Sequence, residues 1–308
     1  MFSNLQNTGY RHPSYAISLA EYGTPHELTY SGGWVIKREI PGFPYRDAMG
    51  CYPIFSCTDW SQLGKDFECL GSELVSVSLV SDPFGNFDLQ LLHKQFRDIV
   101  IPFKDHYIVD LGYPLRDFVS GHHDRYSQKA LSVLNIEKCD QPIRLLDEWV
   151  SLYANLIKRH CIRGIPAFST QAFSHQLNTP GLVAFRAKFQ GETLGILLWF
   201  VQNEFGYYHL GAFSDQGYKM RASFALFRFA IEYFAESGLK FLNLGAGAGI
   251  KNKPEDGLSR FKNGWSNGIR TAYFCGRIFD PHKYQKIIQE EGIVMDDYFP
   301  AYRKGEFL

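Results

Sequence analysis

The apolar positions of this chain change period several times. Residues 15–20 (YAISLA), 32–40 (GGWVIKREI), 49–57 (MGCYPIFSC) and 73–81 (ELVSVSLVS) are apolar or alternating, with turn residues between them. That pattern predicts strands. Residues 88–100 (DLQLLHKQFRDIV) space their apolar side chains as a helix does. Residues 105–114 predict a strand with its exit turn. Residues 115–134 predict a helical segment interrupted near Gly121.

Pro142 closes a polar stretch and marks the best candidate boundary. Beyond it, Leu145, Leu146, Trp149, Leu152, Tyr153 and Leu156 form one apolar stripe, the clearest amphipathic helix in the chain. A shorter helix follows at 169–177, opening on a Ser or Thr cap. Three strands are then predicted, at 181–189, 191–202 and 205–213. A long helix is predicted over 219–238, stopped by Gly238. The almost wholly apolar KFLNLG at 240–245 predicts a buried central strand. A strand over 270–279 and a helix over 280–292 complete the pattern.

Composition narrows the function classes. Lys plus Arg and Asp plus Glu are each 32, so no global positive field draws nucleic acid or an anionic membrane. The 16% aromatic content fits large sheet cores. None of the six cysteines sits in a Cys-x-x-Cys pair or beside a His pair. No metal site is expected, and the thiols read as buried and free, in a reducing compartment. The first 20 residues lack the basic start and apolar core of a signal peptide, and the apolar run LGILLWFV is too short to span a bilayer. These features predict a cytoplasmic protein.

The stretch FLNLGAGAGIKNKPEDGLSRFKNGWS, residues 241–266, holds the most unusual pattern. Gly245, Gly247 and Gly249 alternate. A dinucleotide fingerprint would need its third glycine at position 250 and a helix directly after it; the chain has Ile250 and then KNKPED, whose proline forbids a regular helix. A phosphate loop would need Gly-Lys-Ser/Thr. The glycines therefore either turn the chain or let a substrate lie against backbone amides.

The order of elements after residue 140 resembles that of the GNAT acyltransferases. Within them, FLNLGAG followed by DGLSRFKNGW resembles the FemAB-like group. GHHDRYSQKAL resembles that group's basic helix, and RIFDPHKYQKI with YFPAYR resembles the end of BioF2-like acetyltransferase proteins. The resemblance implies a mixed α/β fold of tandem GNAT-like domains, each a largely antiparallel sheet flanked by helices. It places an acceptor-side domain at residues 1–140 and the acyltransferase domain at 141–308. It implies transfer of an acyl or aminoacyl group to an amine of a small molecule, an amino sugar or a cell-envelope precursor. The donor is an acyl-CoA such as acetyl-CoA, or an aminoacyl-tRNA as in FemAB-type peptide-bond ligases. A non-catalytic metabolite-binding relative is the third class.

The resemblance also distributes roles. Lys262 is the expected oxyanion partner and Phe261 packs against it. Asp215, Glu204, Tyr208 and His209 are the base candidates, and the sequence does not choose among them. CoA-using domains carry Gln/Arg-x-x-Gly-x-Gly/Ala before the long helix. Here Gln216 and Ala222 are present but the glycine spacing differs, and Lys219 and Arg221 stand in as phosphate ligands. Gly245 and Gly247 admit substrate to the backbone. His122, His123, Arg125 and Lys129 are placed to meet an anion. Between 251 and 270, Lys251, Lys253, Arg260, Lys262 and Arg270 oppose Glu255 and Asp256, a local +3 compatible with tRNA phosphates.

Overall fold

The strand Glu192–Gln202 is buried on both faces from Leu194 onward, as a strand at a sheet centre must be. It belongs to a mixed α/β, largely antiparallel architecture flanked by helices, described here from a computed structural model covering residues 7–249, 256–294 and 296–306. In chain order the elements are α1 (Pro13–Ile17), β1 (Thr24–Leu28), β2 (Gly33–Glu39), β3 (Arg46–Gly50), α2 (Leu63–Leu70), β4 (Leu74–Val80), α3 (Leu89–Gln95) and β5 (Ile99–Asp110). Then come α4 (Leu115–Phe118), α5 (Gly121–Leu131), β6 (Asn135–Cys139), α6 (Leu146–His160), α7 (Thr170–Leu177), β7 (Leu182–Phe189), β8 (Glu192–Gln202) and β9 (Phe205–Phe213). The last are α8 (Asp215–Lys219), α9 (Ala222–Glu236), β10 (Phe241–Asn243), α10 (Gly257–Asn263), β11 (Gly268–Ile278) and α11 (Pro281–Glu290).

The chain forms two units. A central unit holds residues 1–9, 104–162 and 167–271; a terminal unit holds residues 10–103, 163–166 and 272–308. Residue 140 falls inside the central unit, because β6 pairs with β7 across the two helices that separate them in sequence.

In the central unit the strand order is β5-β10-β9-β8-β7-β6, with β10 parallel to β9 and every other pair antiparallel. Alternate β8 residues Leu197, Trp199 and Val201 pack under α9 in one core cluster. Ile196, Leu198 and Phe200 point to the other face, where α6 and α7 bring Trp149, Tyr153 and Phe173. In the terminal unit β1, β2 and β3 pair antiparallel, β3 runs parallel to β4, and β4 pairs antiparallel with β11. Trp60, Phe67 and Phe96 fill its core.

Several expectations give way to local chemistry. Residues 15–17 are helical, not extended: Pro13 occupies the first turn and the His12 ring accepts from the Ser14 N–H at 3.1 Å. A helix start overrides the alternation. The helix expected over 88–100 stops at Gln95, and β5 begins at Ile99. The strand expected over 49–57 ends at Gly50, since Pro53 cannot donate to a ladder. The helix expected over 219–238 starts only at Ala222, after the separate turn of α8; Arg221 between them is left-handed at φ 59°. All six cysteines are free, but Cys69 and Cys161 are exposed, not buried.

Candidate active site

β10 is only three residues long and pairs with β9 from Phe241–Phe205 to Asn243–Tyr207. Beyond that point the chain follows β5: the Leu244 N–H donates to the Tyr107 carbonyl at 2.9 Å, and the Tyr107 N–H to the Gly245 carbonyl at 3.1 Å. β9 continues without β10 to Phe213, paired only with β8 among the described residues. The two chains therefore splay apart after Tyr207 and Asn243.

Lys262 points into this splay. Its Nζ donates to the Ala246 carbonyl at 2.6 Å and lies 5.5 Å from the centre of the Tyr208 ring. The side chain is buried, and burial draws its pKa down to about 7; Asp256 opposes that shift and Lys104 adds to it. Lys104, on β5, is buried too, and its Nζ donates to the Gly249 carbonyl at 2.6 Å. Burial lowers its pKa as well. Two buried lysines thus share one neighbourhood, each held by a glycine-loop carbonyl, with Asp256 the carboxylate that acts on both. Carbonyls hold an ammonium in place without neutralising it, so the site remains attractive to an anion.

The glycines make this packing possible. Gly245 has φ +77°, and a Cβ there would stand 3.0 Å from Lys262 Nζ. A Cβ on Gly247 would stand 2.7 Å from Asp256 Oδ2 and closer still to Ser259 Oγ. Asp256 caps α10, accepting from the Ser259 N–H at 2.8 Å and from the Ser259 hydroxyl at 2.7 Å. The loop is bare because the start of α10 lies against it.

Asn243 anchors the end of β10. Its Oδ1 accepts from the Gly245 N–H at 2.7 Å and lies 3.0 Å from His106 Nδ1. A backbone N–H can only donate, so the atom facing it is the oxygen. The proton of His106 then sits on Nδ1, leaving the lone pair on Nε2. Burial pulls the His106 pKa down to about 4, so the ring is neutral at pH 7.

The expected site residues separate into those near Lys262 and those elsewhere. Phe261 points away from Lys262 into a cluster of rings, 4.9 Å from Phe227 and 5.1 Å from Phe224. It anchors α10. His123 is buried with both ring nitrogens in use: Nδ1 lies 2.6 Å from Ser120 Oγ, and Nε2 donates to the Phe261 carbonyl at 3.0 Å. It clamps α5 to α10 and has no donor left for an anion. Arg125 and Lys129 lie on the exposed side of α5, opposite His123, Ser127 and Ala130. His122 is exposed against Tyr126.

Among the base candidates, only Tyr208 borders Lys262, and burial pushes its phenol above the ordinary range. His209 faces the other side of the sheet, with Nε2 3.1 Å from Gln176 Oε1. Glu204 pairs with Lys240 at 2.7 Å, and exposed Asp215 with Arg159 at 3.2 Å.

The expected donor-phosphate residues do not converge. Gln216 and Lys219 are exposed, Ala222 is buried, and the Arg221 guanidinium stacks 3.3 Å from the centre of the Tyr126 ring. Gly217 is packed against the Leu194 backbone, and Ser214 caps α8 by accepting from the Gly217 N–H at 3.0 Å. Lys251, Lys253 and Glu255 lie outside the described residues.

Lys104, His106 and Asn243 escape sequence reasoning. The available signal is in β5, where Lys104 and His106 occupy alternate positions with Ile108 on the buried face of a strand. Polar residues on such a face mark a site or a network. Among the described residues no group of three or more His, Cys, Asp or Glu is placed to hold a metal, and no helix is long and apolar enough to cross a membrane.

No protein-family profile and no curated protein sequence matches the chain. Solved structures do. FemX superposes with TM-score 0.65 over 90% of this chain and 93% of its own, at 13% identity. The C-terminal domain of a protein named as a lysylphosphatidylglycerol synthetase from Agrobacterium fabrum gives TM-score 0.60, 14% identity and 92% coverage of each chain. L-PGS from Bacillus licheniformis gives 0.54 and 14%, over 89% of this chain and 94% of its own. What these likenesses define is the fold alone: a GNAT-like fold and, more narrowly, the FemAB-type fold that FemX carries.

Proposed function

We propose that this protein transfers an acyl or aminoacyl group from an activated ester or thioester to an amine, with Lys262 as the cation beside the developing oxyanion. The FemAB-type fold supports the reaction class. The observation that carries the reading is the buried Lys262 Nζ, held by the Ala246 carbonyl within the splay of β9 and β10. The acceptor nitrogen attacks the donor carbonyl carbon, and the C=O electron pair moves onto oxygen. An ammonium in a water-poor site stabilises that oxygen far more than it would in water. Collapse re-forms the carbonyl and breaks the bond to the leaving oxygen or sulfur, which takes up the proton the nitrogen releases. Phe261 and His123 fix α10, and Asn243 fixes the loop that Lys262 grips. All three position Lys262 and none reacts.

The aminoacyl-tRNA donor is favoured over acyl-CoA by one observation. α8 fills the turn where a CoA-using domain keeps an open glycine loop, and Gln216, Lys219, Arg221 and Ala222 point to different surroundings. The acceptor is then an amine of a small molecule, an amino sugar or a cell-envelope precursor. Native mass spectrometry of freshly purified protein tests the donor. Co-purified tRNA is the expected result. Bound CoA, lost in a Lys219→Ala/Arg221→Ala double variant, reverses the assignment.

A further inference from the structure

The terminal unit contains three arginines that are each 6% exposed: Arg11, Arg38 and Arg303. Two are neutralised. Arg38 Nε lies 3.2 Å from Asp47 Oδ1 and Arg303 Nε lies 2.8 Å from Asp47 Oδ2, with Glu306 serving both guanidinium groups. The fold thus provides carboxylates for buried arginines that hold it together. Arg11, in the turn before α1, is different. Its Nε and Nη2 are buried and have no hydrogen-bond partner, and it forms no ion pair among the described residues.

Carboxylates are not scarce around it. The buried thiol of Cys57 feels the charge of Arg11 together with those of Asp82, Asp59 and Asp66. Each of those carboxylates is engaged elsewhere. Asp82 accepts from the Ser56 hydroxyl at 2.8 Å and the Phe84 N–H at 2.9 Å. Asp59 accepts from the Ser61 N–H at 2.9 Å, and Asp66 from the Tyr30 and Ser31 N–H groups at 3.0 and 2.9 Å. A guanidinium cannot shed its proton to escape burial. Neutral donors leave those carboxylates charged, so they offset part of the Arg11 charge, but none supplies the hydrogen-bond partner that Nε and Nη2 lack. Buried donors left unpaired are costly, and such groups persist where they meet a ligand.

The chemistry of the unmatched edge names the ligand class. Nε and Nη2 lie on one side of the planar fork, and their N–H bonds run parallel. That edge matches two oxygens of one carboxylate or one phosphate group. We infer that Arg11 binds an anionic group of a ligand, carboxylate or phosphate, through its Nε–Nη2 edge. This inference stands apart from the acyl-transfer reading.

Thermal unfolding tests this without turnover, so an idle Lys262 would overturn the acyl-transfer reading and leave this inference standing. The wild type, Arg11→Met and Arg11→Lys are melted in choline chloride, potassium acetate and potassium phosphate at matched ionic strength. Phosphate stabilises most proteins nonspecifically, so each response is read against that of Arg11→Met. The expected result is a saturable rise in wild-type Tm with one of the anions, absent in Arg11→Met, which in chloride melts at or above the wild type. Acetate as the effective anion assigns a carboxylate, and phosphate a phosphate group. Arg11→Lys keeps the charge without the fork, and its half-saturating concentration is expected to rise about tenfold or more. A wild-type Tm indifferent to both anions overturns the inference. So does an Arg11→Met protein that melts below the wild type and responds equally, or an Arg11→Lys protein with an undiminished response.

Discussion

The Lys262 ammonium lies 2.6 Å from the carbonyl oxygen of Ala246, sixteen residues earlier in the chain. That contact ties α10 to the loop leaving β10, and it fixes a buried cation without cancelling its charge. The consequence for stability can be worked out. Lys262 has a folded pKa of about 7, against an ordinary lysine value of 10.5. Between those two values the unfolded chain binds the extra proton, so stability rises with pH across that window, by about 1.4 kcal/mol per unit. Below about 7 the burial cost is fully present. Lys262→Met is therefore expected to be more stable than the wild type at pH 6, with the gain shrinking toward pH 10. Urea unfolding at several pH values measures this, and a gain that does not vary with pH would mean that Lys262 is charged throughout.

The same titration bears on the proposed catalysis. If the ammonium stabilises the oxyanion, the rate should fall as pH rises through about 7. Lys262→Arg should turn over more slowly, because a planar fork does not reproduce a point charge, but its rate should not fall there. A wild-type rate that climbs through pH 7 would make Lys262 a base instead.

Gly245 is the loop position where a methyl group matters most. Its φ of +77° disfavours any side chain, and a Cβ would stand 3.0 Å from Lys262 Nζ. Gly245→Ala should cost roughly 1 kcal/mol in stability from the backbone. It should lower kcat by more than that figure accounts for, since displacing the cation acts on the transition state. Equal losses in unfolding free energy and in activation free energy would reduce Gly245 to a structural turn.

His123 and Arg125 should behave oppositely to the roles their sequence suggests. His123→Ala removes a ring bonded to Ser120 and Phe261, and should cost about 1–3 kcal/mol. Arg125→Ala and Lys129→Ala change exposed positions and should stay within about 0.5 kcal/mol, with unchanged substrate binding. Denaturant unfolding and a binding assay on the three variants check both halves.

These outcomes reflect what the chain makes legible. The core strands and α6 are readable because their periodicity is long and unbroken. Lys262 is readable because DGLSRFKNGW sits behind a glycine-rich strand end. Burial decides the rest. His123 looks like a surface cation on a basic helix until Gly264 lets its ring pack against α10. Lys104 and His106 join the site only through strand pairing between residues more than 130 positions apart, as the His106–Asn243 contact shows. The cap at His12 and Pro13 and the left-handed Arg221 are short-range signals that apolar alternation and helical spacing conceal.

The most direct measurement is side-by-side acyl transfer by the wild type and Lys262→Met, with acetyl-CoA and aminoacyl-tRNA as donors and product detected by mass spectrometry. The account predicts transfer from one donor by the wild type. It predicts a loss of about a hundredfold or more in the variant, the scale of one missing oxyanion partner, with circular dichroism unchanged. Equal turnover by a folded Lys262→Met protein would contradict it and leave the glycine loop and α10 as structure alone.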